Sequence, residues 1–198
     1  MNYPEYVKVG DKKYKINTDF RVAIECNRIA TDENINDLER GLAIIYTLFG
    51  DEGINTPEDY EKLLELAQKY LLCGKEMDTK SNEEPDMDFI QDYDYIYASF
   101  MSDFQINLDK ENMHWWQFMK LMNGLSNSEM GNCCILNRVR NLRNYDTKDI
   151  KDKKTRDKIL EAKKMVALKK EKTKREPTEK EKQSAMDFLN ALNKRKEW

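Results

Sequence analysis

The sequence predicts a mainly α-helical fold: a compact multi-helix domain with a small N-terminal β-hairpin and a charged helical C-terminal extension. Three observations lead to this fold class. Apolar residues recur at three- and four-residue spacing along most of the chain, which is the period of one helix face. Apolar and polar residues alternate, as in a strand, around residues 7–16. Charged residues make up 36% of the 198 residues, well above the roughly 25% of an ordinary soluble domain.

The first 74 residues predict one hairpin and three helices. Val7-Lys8-Val9 and Tyr14-Lys15-Ile16 flank a turn that contains Gly10, which is the pattern of a hairpin. Asn17 or Thr18 is placed to cap the first helix. The first helix begins at Asp19. The second runs from Asp37 to Phe49. The third begins at Pro57, after a capping Thr56, and ends before Gly74.

The centre of the chain predicts two helices that form the core of the domain. A polar loop, residues 75–86, precedes them. Residues 89–104 carry apolar side chains on one face, and residues 113–123 carry them around nearly the whole circumference, as a buried helix does. The apolar residues are Phe89, Tyr93, Ile96, Tyr97, Phe100, Met101 and Phe104, then Trp115, Trp116, Phe118, Met119, Leu121 and Met122.

The last third of the chain becomes rich in lysine. A helix that starts at Ser126 or Ser128 precedes this change, and residues 148–176 then hold 13 basic and six acidic side chains. We predict a charged helix over about residues 155–172, which Pro177 terminates, and a last amphipathic helix after it. The chain therefore divides into a helical body, residues 1–145, and a lysine-rich helical extension, residues 146–198.

The central stretch also resembles a known family. The run His114-Trp115-Trp116-Gln117-Phe118, followed by Leu121-Met122-Asn123-Gly124-Leu125, is similar to a tailed-bacteriophage family encoded in the tail region near the tape measure gene. The motif residues are His114, Trp115, Trp116, Phe118, Asn123, Gly124 and Leu125. The resemblance implies a tail assembly chaperone, a non-enzymatic helper that binds the tape measure protein while the tail tube is built.

Patterns typical of enzymes are absent from the sequence, which contains no GxGxxG, GxxxxGK[ST] or HExxH motif. His114 is the single histidine and stands beside two tryptophans, where a structural or capping role outweighs catalysis. The pairs Asp86/Asp88 and Asp92/Asp94 could hold Mg²⁺, but a solvated acidic face with helix-capping duty accounts for them better. We therefore predict no catalysis, no cofactor, no metal site and no small-molecule substrate.

Compartment and redox state follow from two further features. No apolar run approaches the roughly 18 residues of a membrane span, and the N-terminus lacks the pattern of a secretory signal. We expect a protein of the host cytoplasm without a membrane partner, in which the four cysteines stay reduced.

Charge is divided unevenly along the chain. Residues 1–111 carry 12 basic and 25 acidic side chains, whereas residues 112–198 carry 22 basic and 12 acidic ones. The two parts attract each other, within a chain or between subunits, and self-association is one consequence that this pattern permits.

Nucleic-acid association through the basic segment, residues 148–175, is the alternative function, because such segments contact phosphates. Interspersed acids and the lack of any aromatic residue between Asp146 and Thr173 argue against it. A structural tail component is a further alternative. A protein partner fits best, since the last helix either packs on its own domain or docks in a partner's groove. Its candidate contact residues are Phe188, Leu189, Leu192 and Trp198.

Overall fold

The computed structural model describes residues 3–76, 85–127 and 133–169. Within these ranges the chain forms a two-stranded antiparallel sheet at its N-terminal end and eight α-helices, which confirms the predicted fold class. The chain divides into two compact units. Unit 1 contains residues 3–76 and 114–116, and unit 2 contains the other described residues. The predicted division at residue 145 stays a prediction.

Unit 1 holds the hairpin and four helices. Its elements are β1 (Tyr6–Val9), β2 (Lys12–Lys15), α1 (Phe20–Thr31), α2 (Asp37–Phe49), α3 (Asp51–Ile54), a 3-10 turn (Pro57–Asp59) and α4 (Tyr60–Leu71). Unit 2 holds α5 (Tyr93–Phe104), α7 (Ile135–Asn144), α8 (Lys153–Val166) and most of α6 (Trp115–Asn123). The first two residues of α6 belong to unit 1. The helix predicted after Pro177 lies outside the described residues.

The hairpin has the turn that its sequence predicts. Val9 pairs with Lys12, which leaves a two-residue loop, and Gly10 has φ +57°. A tight hairpin needs this left-handed conformation at the first loop position, and glycine adopts it without a steric penalty. Tyr14 of β2 points into unit 1 and its hydroxyl donates a 2.6 Å hydrogen bond to Asp59.

Two of the predicted helix caps are wrong. Asp19 itself caps α1 by accepting the backbone N–H of Arg21 at 2.8 Å, so neither Asn17 nor Thr18 has this role. Thr56 does not cap with its side chain, because its hydroxyl donates to the Glu52 carbonyl at 3.0 Å. A short polar side chain can hydrogen-bond to several nearby backbone N–H or carbonyl groups, and the sequence alone does not show which of these bonds forms.

The core of unit 1 lies between α1, α2 and α4. Gly41 allows α2 to approach α4 closely, since a Cβ at this position would overlap the hydroxyl of Tyr60. The fully or nearly fully buried apolar residues are Tyr14, Ile16, Phe20, Ala23, Ile24, Cys26, Ile29, Ile44, Ile45, Leu48, Phe49, Leu63, Ala67, Tyr70 and Trp115.

Unit 2 is built on α5, which packs against α7. Ile96 and Phe100 of α5 are fully buried, and the ring of Phe100 stacks on Phe118 of α6 with centroids 5.2 Å apart. The backbone N–H of Leu136 donates to the buried Ser99 hydroxyl at 3.1 Å, which ties α7 to α5. Met101, predicted to face the core, is instead one of the exposed apolar residues.

Both C-terminal helices of unit 2 differ from their predicted bounds. Cys134 caps α7, so this helix begins well after Ser126 and Ser128. Asp152 caps α8 by accepting the N–H of Thr155 at 2.7 Å, and α8 ends at Val166 rather than near residue 172.

None of the helices in the described ranges combines the length and apolarity of a membrane-spanning segment. All four cysteines are free thiols. Burial raises the pKa of the Cys26 thiol to about 12, so this group is unreactive at neutral pH.

Tyr70 provides a test of the buried core of unit 1. Its hydroxyl is buried and has no hydrogen-bond partner among the described residues. We expect Tyr70→Phe to leave the free energy of unfolding unchanged or to raise it by up to about 1 kcal/mol, because it removes an unsatisfied polar group. Urea denaturation measures this change.

The matched control is Tyr14→Phe, in a tyrosine residue that is equally buried as a whole but whose hydroxyl has a partner, the Asp59 carboxylate. We expect this variant to lose about 1–2 kcal/mol. Equal losses in the two variants would mean that the Tyr70 hydroxyl is satisfied after all.

Candidate protein-interaction surface

His114 caps helix α6. Its Nδ1 accepts the backbone N–H of Trp116 at 3.0 Å, so the proton of the neutral ring lies on Nε2. Nε2 lies 3.1 Å from the carbonyl oxygen of Pro4 and donates to it. Tyr3 stacks on the same ring, with centroids 4.8 Å apart. The histidine therefore joins the N-terminal segment to the start of α6, and both of its nitrogens are occupied.

The two tryptophans close the end of α4. The indole N–H of Trp115 donates to the Leu71 carbonyl and that of Trp116 to the Tyr70 carbonyl, each at 2.9 Å. Both carbonyls are in the last turn of α4, where the regular supply of intrahelical donors ends. The Tyr70 carbonyl also accepts the N–H of Cys73 at 2.9 Å. The first part of the family motif is therefore structural.

The rest of the motif is divided between interior and surface. Phe118 and Leu125 are buried, whereas Asn123 and Gly124 are exposed. Phe118 and Leu125 thus lie in the core, as predicted for this motif, whereas Asn123 and Gly124 between them do not.

Unit 2 contains a buried ion pair that the sequence did not reveal. The Asp92 side chain is 1% exposed, and its two carboxylate oxygens each accept a 2.7 Å hydrogen bond from the Arg143 guanidinium. These bonds raise the pKa of Arg143 above its ordinary value. The prediction of a solvated acidic face is therefore wrong for Asp92. The helix-capping part of that prediction is wrong for Asp88 as well, since its carboxylate accepts the N–H groups of Ile90 and Gln91 in the turn before α5 rather than those of a helix.

The Arg143 guanidinium also donates hydrogen bonds to two backbone carbonyls. These are the carbonyl oxygen of Asp86, at 2.8 Å, and that of Val166, at 2.6 Å. Val166 is the last residue of α8, so one side chain of α7 binds both the turn before α5 and the C-terminal end of α8. A planar guanidinium with five N–H donors can make such a multiple contact, whereas the lysine ammonium cannot.

Helix α8 is held at the edge of unit 2, and none of its residues is buried. Ile159, Ala162 and Val166 are half-buried, at the spacing of one helix face. Met165 lies beside this face and is 82% exposed. Part of the apolar side of α8 is therefore uncovered.

A second segment adjoins the same edge. The backbone N–H of Lys169 donates to the side-chain oxygen of Gln91 at 2.8 Å, and its carbonyl accepts from the Gln91 amide at 3.1 Å. Ile90, next to Gln91 in the chain, is 51% exposed. We call Ile159, Ala162, Met165 and Val166 the α8 edge.

The N-terminal turns of α8 carry mixed charge. An open depression of about 510 Å³ is lined by Asp152, Lys153, Lys154, Asp157, Lys158 and Glu161. Carboxylates among the lysines reduce the attraction of this surface for a polyanion. No group of three or more potential metal ligands occurs in the part of the chain that the structure describes.

The chain matches the family described as Bacteriophage Gp15 protein over residues 2–168. It belongs to that family. The family indicates a structural or assembly protein of a bacteriophage, and the match includes the tryptophan motif and the α8 edge. No curated protein and no solved structure matches the chain.

The residues predicted to bind a partner, Phe188, Leu189, Leu192 and Trp198, lie outside the described residues and beyond the range matched by the Gp15 family. The α8 edge was missed as a candidate site. Its signal was present in the spacing of Ile159, Ala162, Met165 and Val166, but spacing alone does not say which part of a helix face remains uncovered.

Substitution of His114 tests its capping role. We expect His114→Ala to lower the free energy of unfolding by about 2 kcal/mol, since the Trp116 N–H loses its acceptor and the ring contacts are lost. His114→Asn loses the ring contacts but keeps a capping oxygen, and should recover about 1 kcal/mol. Urea denaturation distinguishes the two; indistinguishable midpoints would show that the cap has no energetic role.

Arg143→Lys tests the ion pair while it keeps the positive charge. We expect a loss of about 3 kcal/mol, because Asp92 stays buried without its two hydrogen bonds. Amide hydrogen exchange should also become faster at the C-terminal end of α8. Arg138→Lys, on the exposed side of the same helix, is the control and should change stability by less than about 0.5 kcal/mol. Similar midpoints for the two variants would contradict the role assigned to Arg143.

Proposed function

We propose that this chain is a tail assembly chaperone that binds the tape measure protein without catalysis while the tail tube is built. The observation that carries the proposal is membership of the Bacteriophage Gp15 family over residues 2–168. The step from a phage assembly protein to the tape measure protein rests on the resemblance of the His-Trp-Trp and Asn-Gly-Leu motif to a family encoded near the tape measure gene.

The α8 edge is the part of the described chain that suits such a partner. A tape measure protein is a very long helical chain, and its apolar stripes need cover until the tube encloses them. Met165 offers a flexible, polarisable side chain that adapts to different partner surfaces. The exposed lysines Lys154, Lys158 and Lys164 keep the surrounding surface soluble. An amphipathic helix of the partner would lie along this edge with its apolar face inward.

A non-catalytic role is supported by the structural use of the groups that a reaction would need. Both nitrogens of His114 are hydrogen-bonded, the Asp92 carboxylate is bound by Arg143, and Cys26 is buried with a raised pKa. A general base or nucleophile has to be accessible and poised in its reactive protonation state. These three groups do not meet that requirement.

Co-expression with the tape measure protein encoded by the same genome tests the proposal. We expect the tape measure protein to become soluble and to co-elute with several copies of this chain in size-exclusion chromatography with light scattering. An insoluble tape measure protein, with this chain eluting alone, would contradict the proposed function.

A substitution on the α8 edge tests whether this surface makes the contact. Burial of a methionine side chain contributes about 1.5–3 kcal/mol, so we expect Met165→Glu to weaken the complex by tenfold or more. Tyr46→Glu is the matched control, because Tyr46 is another exposed apolar residue, on α2 of unit 1. Equal binding by both variants would move the contact away from α8.

The two alternative functions, nucleic-acid association and a structural role in the tail, predict different experimental results. A nucleic-acid-associated protein would carry bound nucleic acid that is released steeply as salt rises, whereas apolar docking depends weakly on salt. A structural tail component would be present in purified virus particles, from which a chaperone is absent.

A further inference from the structure

The outer face of the N-terminal hairpin concentrates positive charge. Side chains alternate between the two faces of a strand, and the inward face of this hairpin carries Val7, Val9 and Tyr14. The outward face carries four exposed residues, which we call the hairpin face: Tyr6, Lys8, Lys13 and Lys15. Within the described residues, none of these three lysines forms an ion pair. The hairpin face is therefore a cluster of cations that no carboxylate of these ranges neutralises.

This cluster works against the stability of the hairpin. Lys8 and Lys13 lie directly opposite each other in the strand register, and Lys15 is two residues from Lys13 on the same face. Like charges directly opposite each other destabilise an antiparallel pair. One contact offsets part of this repulsion, because the Lys13 ammonium lies over the ring of Tyr6, 3.7 Å from its centroid. An anionic partner would relieve the rest.

The same residues expose the hydrogen-bonding groups of a strand edge. The backbone N–H of Ile16 donates to the Glu5 carbonyl at 2.9 Å, so these two residues form a hydrogen-bonded pair. Such pairs alternate with non-hydrogen-bonded pairs along an antiparallel ladder, which places Lys15 and Lys13 in the second kind. Their backbone N–H and C=O groups therefore point away from β1, along the outer edge of β2. In the part of the chain that the structure describes, nothing bonds to these groups.

We propose that the outer edge of β2 binds an extended acidic segment of another protein, which adds a third strand to the sheet. An added antiparallel strand hydrogen-bonds to the free N–H and C=O groups of Lys13 and Lys15. The two partner residues opposite these lysines lie on the same face of the sheet, about 6.8 Å apart. Glu or Asp at positions i and i+2 of the partner thus each meet one lysine.

The lysines also restrict which strands can pair with this edge. Lysine commonly protects a free edge, since a neutral or basic strand gains nothing from its charge or is repelled by it. An acidic strand is the exception, because it neutralises the lysines as it pairs. A sheet of two strands is also marginally stable by itself, so a third strand strengthens it.

A single-stranded nucleic acid fits this edge less well than an acidic strand. Phosphates can accept the backbone N–H groups, but they have no donors for the strand carbonyls. Base stacking needs free aromatic rings. The ring on the hairpin face, that of Tyr6, already has the Lys13 ammonium over it. The hairpin face is in unit 1 and the α8 edge is in unit 2, so binding to each can be tested separately.

Titration of the full chain with synthetic peptides, followed by heteronuclear NMR, tests the proposal. The first probe is a nine-residue peptide with two Glu separated by one Val and flanked by Thr and Ser. We expect the amide resonances of Lys13 and Lys15 to move, because their N–H groups gain acceptors. In the second probe one Glu is shifted by a single position, which puts the two carboxylates on opposite faces. It should bind about tenfold more weakly.

A third probe separates strand pairing from charge alone. It is the first peptide with both Glu residues N-methylated, which removes the N–H groups that face β2 but keeps both carboxylates. We expect it to bind at least tenfold more weakly than the first probe, since an added strand is held by its main-chain hydrogen bonds.

Charge reversal on β2 supplies the complementary test. Lys13→Glu/Lys15→Glu should weaken binding of the first probe by tenfold or more, because two pairs of opposite charges become like charges. The matched control is Lys69→Glu/Lys75→Glu, which changes the net charge equally at two exposed lysines of unit 1. The control should keep the wild-type affinity within about twofold.

Four results would overturn the proposal. Unchanged Lys13 and Lys15 resonances at millimolar concentration of the first probe would show that the edge does not bind such a strand. Equal affinity for all three peptides would show attraction by charge without strand pairing. Tighter binding of a 20-nucleotide oligo-dT, lost steeply as salt rises, would assign the face to nucleic acid. Movement of the same resonances with protein concentration alone would assign the edge to a second copy.

Discussion

Unit 2 depends on the bidentate ion pair between Asp92 and Arg143. Burial of a carboxylate and a guanidinium is costly unless the charges are paired and their remaining hydrogen-bonding groups are satisfied. The Asp92 carboxylate meets this condition by accepting the N–H of Asp88 in addition to the two guanidinium bonds, and Arg143 meets it by donating to two carbonyls. The need to satisfy these groups fixes the turn before α5, the end of α7 and the end of α8 at one point.

Unit 1 has a comparable arrangement in which the donors are indoles rather than a guanidinium. Trp115 and Trp116 supply N–H groups to carbonyls in the last turn of α4, and His114 supplies the acceptor that the start of α6 needs. One short sequence therefore terminates one helix and starts another. Ending α4 and starting α6 both require side chains with a polar ring nitrogen at this place. That requirement accounts for the run His114-Trp115-Trp116 without any role in binding a ligand.

The sequence was sufficient for features determined by local chemistry. The bounds of α2 follow from the Asn36 and Glu39 capping box and from Gly50, and the hairpin follows from Gly10 between two alternating runs. Features determined by residues distant in sequence were not predictable. Asp92 looked like one acid among several, because its partner is 51 residues away. The uncovered side of α8 depends on what packs against the helix, and spacing does not contain that information.

The contact between Gln91 and Lys169 has a consequence for the turn before α5. The Gln91 amide pairs with both the N–H and the carbonyl of Lys169, as a neighbouring strand would. The next residue, Asp92, binds Arg143, whose guanidinium also donates to the Val166 carbonyl. Two consecutive side chains of one turn thus hold, directly or through Arg143, both the end of α8 and the backbone just after it. A change in the backbone of this single turn would therefore loosen both attachments together, so the C-terminal end of α8 has one point of failure rather than two.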